Sequence, residues 1–168
     1  MKTATPKSSL HPTKNPLPQE SREKLVELLN SRLASAVDLQ LQAKYAHWNV
    51  KGPNFIALHE LFDQVYTTAA ESVDELAERA VQLGGLAQGS LQTVAKETKL
   101  RAYPPASSGS EHVEALSHAL AAFGTQVREG IELAEEYGDP ATADMLTAIV
   151  ESVEKQLWFV EAHAQAKS

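Results

Sequence analysis

Residues 47–78, HWNVKGPNFIALHELFDQVYTTAAESVDELAE, read as the end of one helix, a Gly52-Pro53 break and a second, long helix, because proline cannot continue a helix and glycine commonly ends one. Four groups able to bind a metal lie on the second helix: His59, Asp63, Asp74 and Glu78. At about 100° per residue they fall at roughly 0°, 40°, 60° and 100°, all on one side of the cylinder. Asp63 and Asp74 are separated by a rise of roughly 16 Å, so one straight helix cannot bring both pairs to one ion. A second copy packed antiparallel across a two-fold axis can. His59 and Glu78 are equidistant from the same midpoint as Asp63 and Asp74, so His59 faces Glu78 and Asp63 faces Asp74 across a self-complementary interface. Near that midpoint Thr67 and Ala70 are small enough for two helices to approach closely. His47 lies as far before Pro53 as His59 lies after it, and an antiparallel helical hairpin brings the two imidazoles together.

Two sites follow, each built from His47, His59 and Asp63 of one chain with Asp74 and Glu78 of the other. Imidazoles combined with carboxylates suit iron, manganese or zinc better than soft metals. Taken singly, each residue has a plainer explanation. A histidine on an apolar helix face is usually a satisfied core residue, and DELAER can be a solvated acidic face. The coincidence of stripe, symmetry and hairpin favours a shared metal centre.

At 168 residues the chain has the length of one domain and can bury a sizeable core. It has no cysteine, which excludes disulfides, a thiolate metal site and a cysteine nucleophile. The net charge of −7 argues against binding DNA or an anionic membrane through the overall field, and favours attraction of cations. No apolar run approaches the roughly 20 residues that span a bilayer. The N-terminus lacks a signal-peptide core, so a soluble cytoplasmic protein is expected.

Residues 1–19, MKTATPKSSLHPTKNPLPQ, carry Pro6, Pro12, Pro16 and Pro18 and few apolar groups, a composition expected to leave most of this tail disordered. Its only charges are Lys2, Lys7 and Lys14. On one chain they make a solubilising extension; displayed in several copies they become weak phosphate contacts that act together. Residues 20–168 are expected to form the folded body. A first helix runs from about Gln19–Ser21 to about Asn49, with Leu25, Leu29, Leu33, Val37, Leu41 and Tyr45 as an apolar stripe at four-residue steps. Trp48 near its end is either a packing residue or a redox-active ring beside the metal site.

The second helix opens with Asn54 as N-cap and stops at Gly84-Gly85. The connection from Leu86 to Pro105 is longer than the two to eight residues or so that join bundle neighbours, so it crosses between helices that run parallel. Leu91, Val94 and Ala95 leave room for a short helix within it. Ser108 and Glu111 match a capping box for a third long helix ending near Tyr137-Gly138. Asp139-Pro140 starts a fourth, whose core face is Leu146, Ile149, Val150, Val153, Leu157 and Val160. His112, His118 and His163 show no paired spacing and are read as surface or packing residues. The fold expected is all-α: a four-helix bundle with a long crossover between its second and third helices and a short helix within it.

None of the six histidines has a glutamate three residues before it, so a carboxylate-bridged metal pair inside one bundle is disfavoured. There is no G-x-x-x-x-G-K, G-x-G-x-x-G or G-x-S-x-G, and hence no support for nucleotide binding or serine hydrolysis.

The stretches KYAHWNVKGPNFIALHELFD (44–63), VDELAERAVQLGG (73–85) and ATADMLTAIVESVEKQLWFVEA (141–162) together closely resemble the Dps family, the DNA-protecting proteins of starved bacteria, over about residues 20–163. The resemblance implies a ferritin-like four-helix subunit in a hollow homododecamer. It also implies a ferroxidase centre shared between two-fold related chains, with His47, His59 and Asp63 on one and Asp74 and Glu78 on the other as metal-binding and catalytic residues. Fe(II) would be oxidised preferentially by hydrogen peroxide and stored as ferric mineral, removing both reagents of hydroxyl-radical chemistry. Zinc is the substitute occupant. Acidic three-fold pores admit iron in the family; Asp139 and Asp144 are the candidates here, although Asp139 also suits a plain helix cap. DNA binding varies among members and often depends on a lysine-bearing tail, which makes Lys2, Lys7 and Lys14 the expected non-specific contacts and the nucleoid the place of such binding. The competing expectation is a mainly nucleoid-compacting protein whose metal site is minor or zinc-filled.

Overall fold

The computed structural model describes residues 10–165. Four long helices, α1 (Gln19–Asn49), α2 (Phe55–Gln82), α4 (Gly109–Glu136) and α5 (Pro140–Gln165), form the bundle, and the short α3 (Leu91–Glu97) lies in the crossover against α1. Among the described residues there is no strand, and no helix is long and apolar enough to cross a membrane. α1 packs on α2 and α4 on α5, while α1 with α4 and α2 with α5 close the bundle. Gly109 at the start of α4 lies against Leu58 at the start of α2, where an added Cβ would come within 2.7 Å of the leucine side chain. The crossover therefore returns the length of the bundle, and α2 and α4 run parallel.

Local signals set the helix ends. The Ser108 hydroxyl accepts the Glu111 N–H at 3.3 Å, and the Glu111 carboxylate accepts the N–H groups of Ser107 and Ser108 at 2.9 Å each. The backbone hydrogen bonds from Ser108 and Ser107 hold the Glu111 carboxyl down at about 2. Asn54 occupies the expected position before α2, but its side chain makes no capping hydrogen bond. The α1 stripe departs from expectation at its far end: Leu41 is 51 % exposed and Tyr45 43 % exposed, while Leu39, Ala43 and Ala46 are buried. A four-residue step advances the helix by about 400°, so each step drifts by about 40° and the stripe leaves the core after four of them.

The tail also differs. Residues 10–18 are not loose: Leu10 and Leu17 pack on the core, and the His11 N–H donates to the Gly84 carbonyl at 2.7 Å. Arg22 donates to the Leu17 and Leu83 carbonyls at 3.2 and 3.1 Å. Gly84 has φ +89°, and a Cβ there would sit 2.7 Å from the His11 carbonyl oxygen, so this contact requires glycine on both counts. Lys2 and Lys7 lie outside the described residues; Lys14 is exposed.

Asp139, expected both as a helix cap and as a pore candidate, is 3 % exposed. Arg79 donates to it at 2.7 Å and the Thr142 hydroxyl also donates to it. This carboxylate is held inside the α2–α5 contact and faces Arg79 and Thr142 instead of solvent, whereas Asp144 further along α5 is exposed. Burial pushes the Asp139 carboxyl up, but Thr142 and Arg79 outweigh it and leave the group below its ordinary 3.8. A lowered folded value means stability fully present above that ordinary value and lost as pH falls through the folded one. Asp139→Asn is expected to be less stable at neutral pH, with a flatter decline than the parent below about pH 4, read from urea midpoints against pH.

Candidate metal centre

The α1–α2 turn passes through Gly52 at φ 114° and sets two histidines face to face. The His47 and His59 rings are stacked, with centroids 3.6 Å apart and planes at 21°. His47 Nδ1–H donates to the His59 carbonyl at 2.7 Å, and His59 Nδ1–H donates to the His47 carbonyl at 2.8 Å. A carbonyl only accepts, so both hydrogens sit on Nδ1, and a neutral ring then carries its lone pair on Nε2. A metal-binding histidine needs this arrangement, with one nitrogen fixed by a backbone partner and the other free. Each residue's backbone holds the other's ring, so the pair is oriented before any ion arrives.

Asp63 follows His59 by one turn. Its carboxylate is ion-paired with Lys44 and lies 4.0 Å from His47 Nδ1. The hydrogen bond from Lys44, reinforced by the charge of Lys44 and by His47 and His59, holds this carboxyl below its usual range. An incoming cation therefore meets a carboxylate that already has a partner. Sequence reasoning does not single out Lys44, although its place one turn before His47 in KYAHW is a usable signal. Lys44→Met is expected to tighten anaerobic Co(II) binding by roughly two- to fivefold, the scale of an exposed ion pair. Titration of the cobalt absorption bands measures it.

His47, His59, Glu60, Asp63, Gln64 and Thr67 line one groove along α2. The exposed face continues through Glu71, Asp74 and Glu78. Partial burial, with the neighbouring Glu71 and Asp74 carboxylates, raises the Glu75 carboxyl within this acidic run. The structure thus brings His47, His59 and Asp63 to one end of the groove and leaves Asp74 and Glu78 further along the same helix. Among the described residues no three His, Asp or Glu side chains of one chain are placed to hold an ion. On the two helices that carry the histidines, Leu41, Tyr45 and Ile56 are exposed, and Trp48 is 68 % exposed.

A four-helix bundle closed by one long crossover is the ferritin-like architecture, and the ferritin-like domain family matches residues 26–167. Over 159 residues the chain is 47 % identical to the DNA protection during starvation protein of Agrobacterium fabrum (strain C58), spanning 94 % of this chain and 98 % of that one. The protein of the same name from Brevibacillus brevis is 36 % identical over 135 residues, covering 80 % and 91 %. The solved structure of Mycobacterium smegmatis Dps matches with a TM-score of 0.87 at 31 % identity, covering 95 % of this chain and 94 % of that one. The chain belongs to the Dps family of ferritin-like proteins.

Proposed function

We propose that this protein is a ferroxidase that oxidises Fe(II), preferably with hydrogen peroxide, and stores the ferric product inside a dodecameric shell. The observation that carries the proposal is the reciprocal His47–His59 pair, which leaves both Nε2 lone pairs free in the groove that Asp63 also lines. The remaining ligands are Asp74 and Glu78 of a two-fold related copy, a reading supported by their exposure on the same acidic face of α2 that carries His59 and Asp63. Carboxylate oxygens favour Fe(III) over Fe(II), so binding here eases electron loss. Imidazole must be neutral to bind, so iron affinity falls on acidification.

Two Fe(II) ions held together give one electron each to peroxide. The O–O bond breaks, both oxygens leave as water with two protons taken up, and no radical is released. Anaerobic Fe(II) loading followed by peroxide titration is expected to end at about two Fe(II) per peroxide. An end point near one, or radical release equal to the peroxide consumed, would reject the paired chemistry.

The name carried by the Agrobacterium and Brevibacillus relatives, DNA protection during starvation protein, supports a protective role. Removing iron and peroxide together accomplishes this without any contact. Direct DNA binding would come from the tail lysines, with Lys14 exposed on the body, and would be non-specific and steeply salt-dependent. Deleting residues 1–9 is expected to weaken DNA retention in gels at low salt and leave iron oxidation unchanged. Asp144 remains the pore candidate.

A further inference from the structure

At the same end of the bundle lies a second polar pair, a buried histidine and a half-buried tyrosine, that the metal chemistry above does not use. His112, in the first turn of α4, is 0 % exposed. Its Nδ1 lies 2.8 Å from the Tyr103 hydroxyl. Burial lowers the tendency of His112 to carry a proton, and burial together with Tyr45 pushes the Tyr103 phenol well up. At rest, then, the phenol donates to a neutral imidazole. His112 Nε2 is buried beside the Asn49 carbonyl at the end of α1, without hydrogen-bond geometry. The Tyr103 ring lies 5.1 Å from that of Tyr45, which sits two residues before His47 on α1. The Lys51–Ser108 backbone bridge ties the α1–α2 turn to the start of α4, fixing these groups together.

We propose that Tyr103 and His112 form a proton-coupled redox site that quenches single oxidising equivalents escaping from the metal centre, reached through Tyr45. The source of the oxidant rests on the ferroxidase reading; the pair itself rests on its own geometry. When a lone Fe(II) meets peroxide, one electron leaves the iron, the O–O bond breaks, and hydroxide and hydroxyl radical form. Tyr103 gives one electron through Tyr45 to that radical, which becomes hydroxide, while the phenolic proton moves along the hydrogen bond to His112 Nδ1. The products are a neutral tyrosyl radical and an imidazolium. A further Fe(II) returns the electron, the proton goes back, and the net change is hydroxyl radical plus Fe(II) to hydroxide plus Fe(III).

Two features of the site favour this step. Without a base in contact, electron loss would leave a cationic phenol at a half-buried position, where water screens its charge poorly. With Nδ1 as the acceptor, the Nε2–H of His112 already faces the carbonyl end of α1, where the helix dipole favours the cation formed when Nδ1 takes the proton. Trp48 has no such base paired with it among the described residues.

The test uses the assembled, metal-free protein, oxidised by flash photolysis with tris(bipyridine)ruthenium(II) and persulfate and examined by electron paramagnetic resonance. A tyrosyl radical hydrogen-bonded to a histidine is expected, recognised in unsubstituted protein by coupling to ¹⁵N-labelled histidine. It should be lost in Tyr103→Phe and fall in yield in His112→Gln, which keeps an acceptor but not a base. Fe(II) limiting relative to peroxide should give the same signal, and Tyr103→Phe should release more hydroxyl radical to a spin trap with the rate of iron oxidation unchanged. A radical that survives Tyr103→Phe, or that shows no histidine coupling in the unsubstituted protein, overturns the pair. Iron oxidation without the Tyr103 radical overturns the relay. A light-driven Tyr103 radical with no iron oxidation at all keeps the redox pair and overturns its proposed source.

Discussion

Replacing Asp74 and Glu78 together by alanine is expected to slow peroxide-driven Fe(II) oxidation by at least about 100-fold. Loss of a mere supporting partner of a metal ligand typically costs 10- to 100-fold, and these two carboxylates are proposed to touch the ion directly. Both side chains are exposed on α2 and hold no other element in place, so the helix content and melting of the variant should match the parent. Stopped-flow absorbance of the ferric product gives the rate. A variant that oxidises iron as fast as the parent would mean that one chain's His47, His59 and Asp63 suffice. Retained DNA retention in the same variant would separate that activity from the iron chemistry.

Phe62→Ala should have the largest effect on stability. Phe62 is fully buried and directly precedes Asp63 on α2, with its ring 6.3 Å from that of His112. Truncating a buried phenylalanine typically costs about 3–5 kcal/mol, because transferred apolar area is lost and a cavity remains. For a chain of this size each kcal/mol shifts the midpoint by roughly 2–4 °C, so a fall of about 6–20 °C is expected in calorimetry. Phe62→Leu, which keeps most of the volume, should cost far less. Equal melting of the two variants would contradict the packing described.

Features decided by residues near one another in the chain are legible in the sequence itself. Ser108 with Glu111, Gly84 and Gly138 fix helix ends through contacts a few residues long, and the helices end where those signals stand. His47 and His59 mirror each other about a single turn, so their approach follows from the hairpin. Features that depend on partners far along the chain are not legible in this way. Leu10 and Leu17 are averaged into a polar segment, and only the body around Gly84 reveals what they dock on. Asp139 stands directly before α5, where a cap is expected, yet its burial follows from Arg79 on another helix. Tyr103 meets His112 because the crossover returns to the start of α4. The exposed Leu41 and Tyr45 show the reverse error: a four-residue stripe resembles a core face only while its slow rotation around the helix is ignored.

A mixed assembly tests most directly whether the metal site is shared between chains. One chain carries His47→Ala with His59→Ala and the other Asp74→Ala with Glu78→Ala; each alone should be inactive. In a mixed two-fold pair the second chain's imidazoles meet the first chain's carboxylates, rebuilding one of the two sites. Random co-assembly then restores roughly a quarter of the parental sites, since half of the pairs are mixed and each has one site intact. Recovery of about that fraction of Fe(II) oxidation is the predicted result. Mixed shells, verified by native mass spectrometry, that stay as inactive as either parent chain would contradict it.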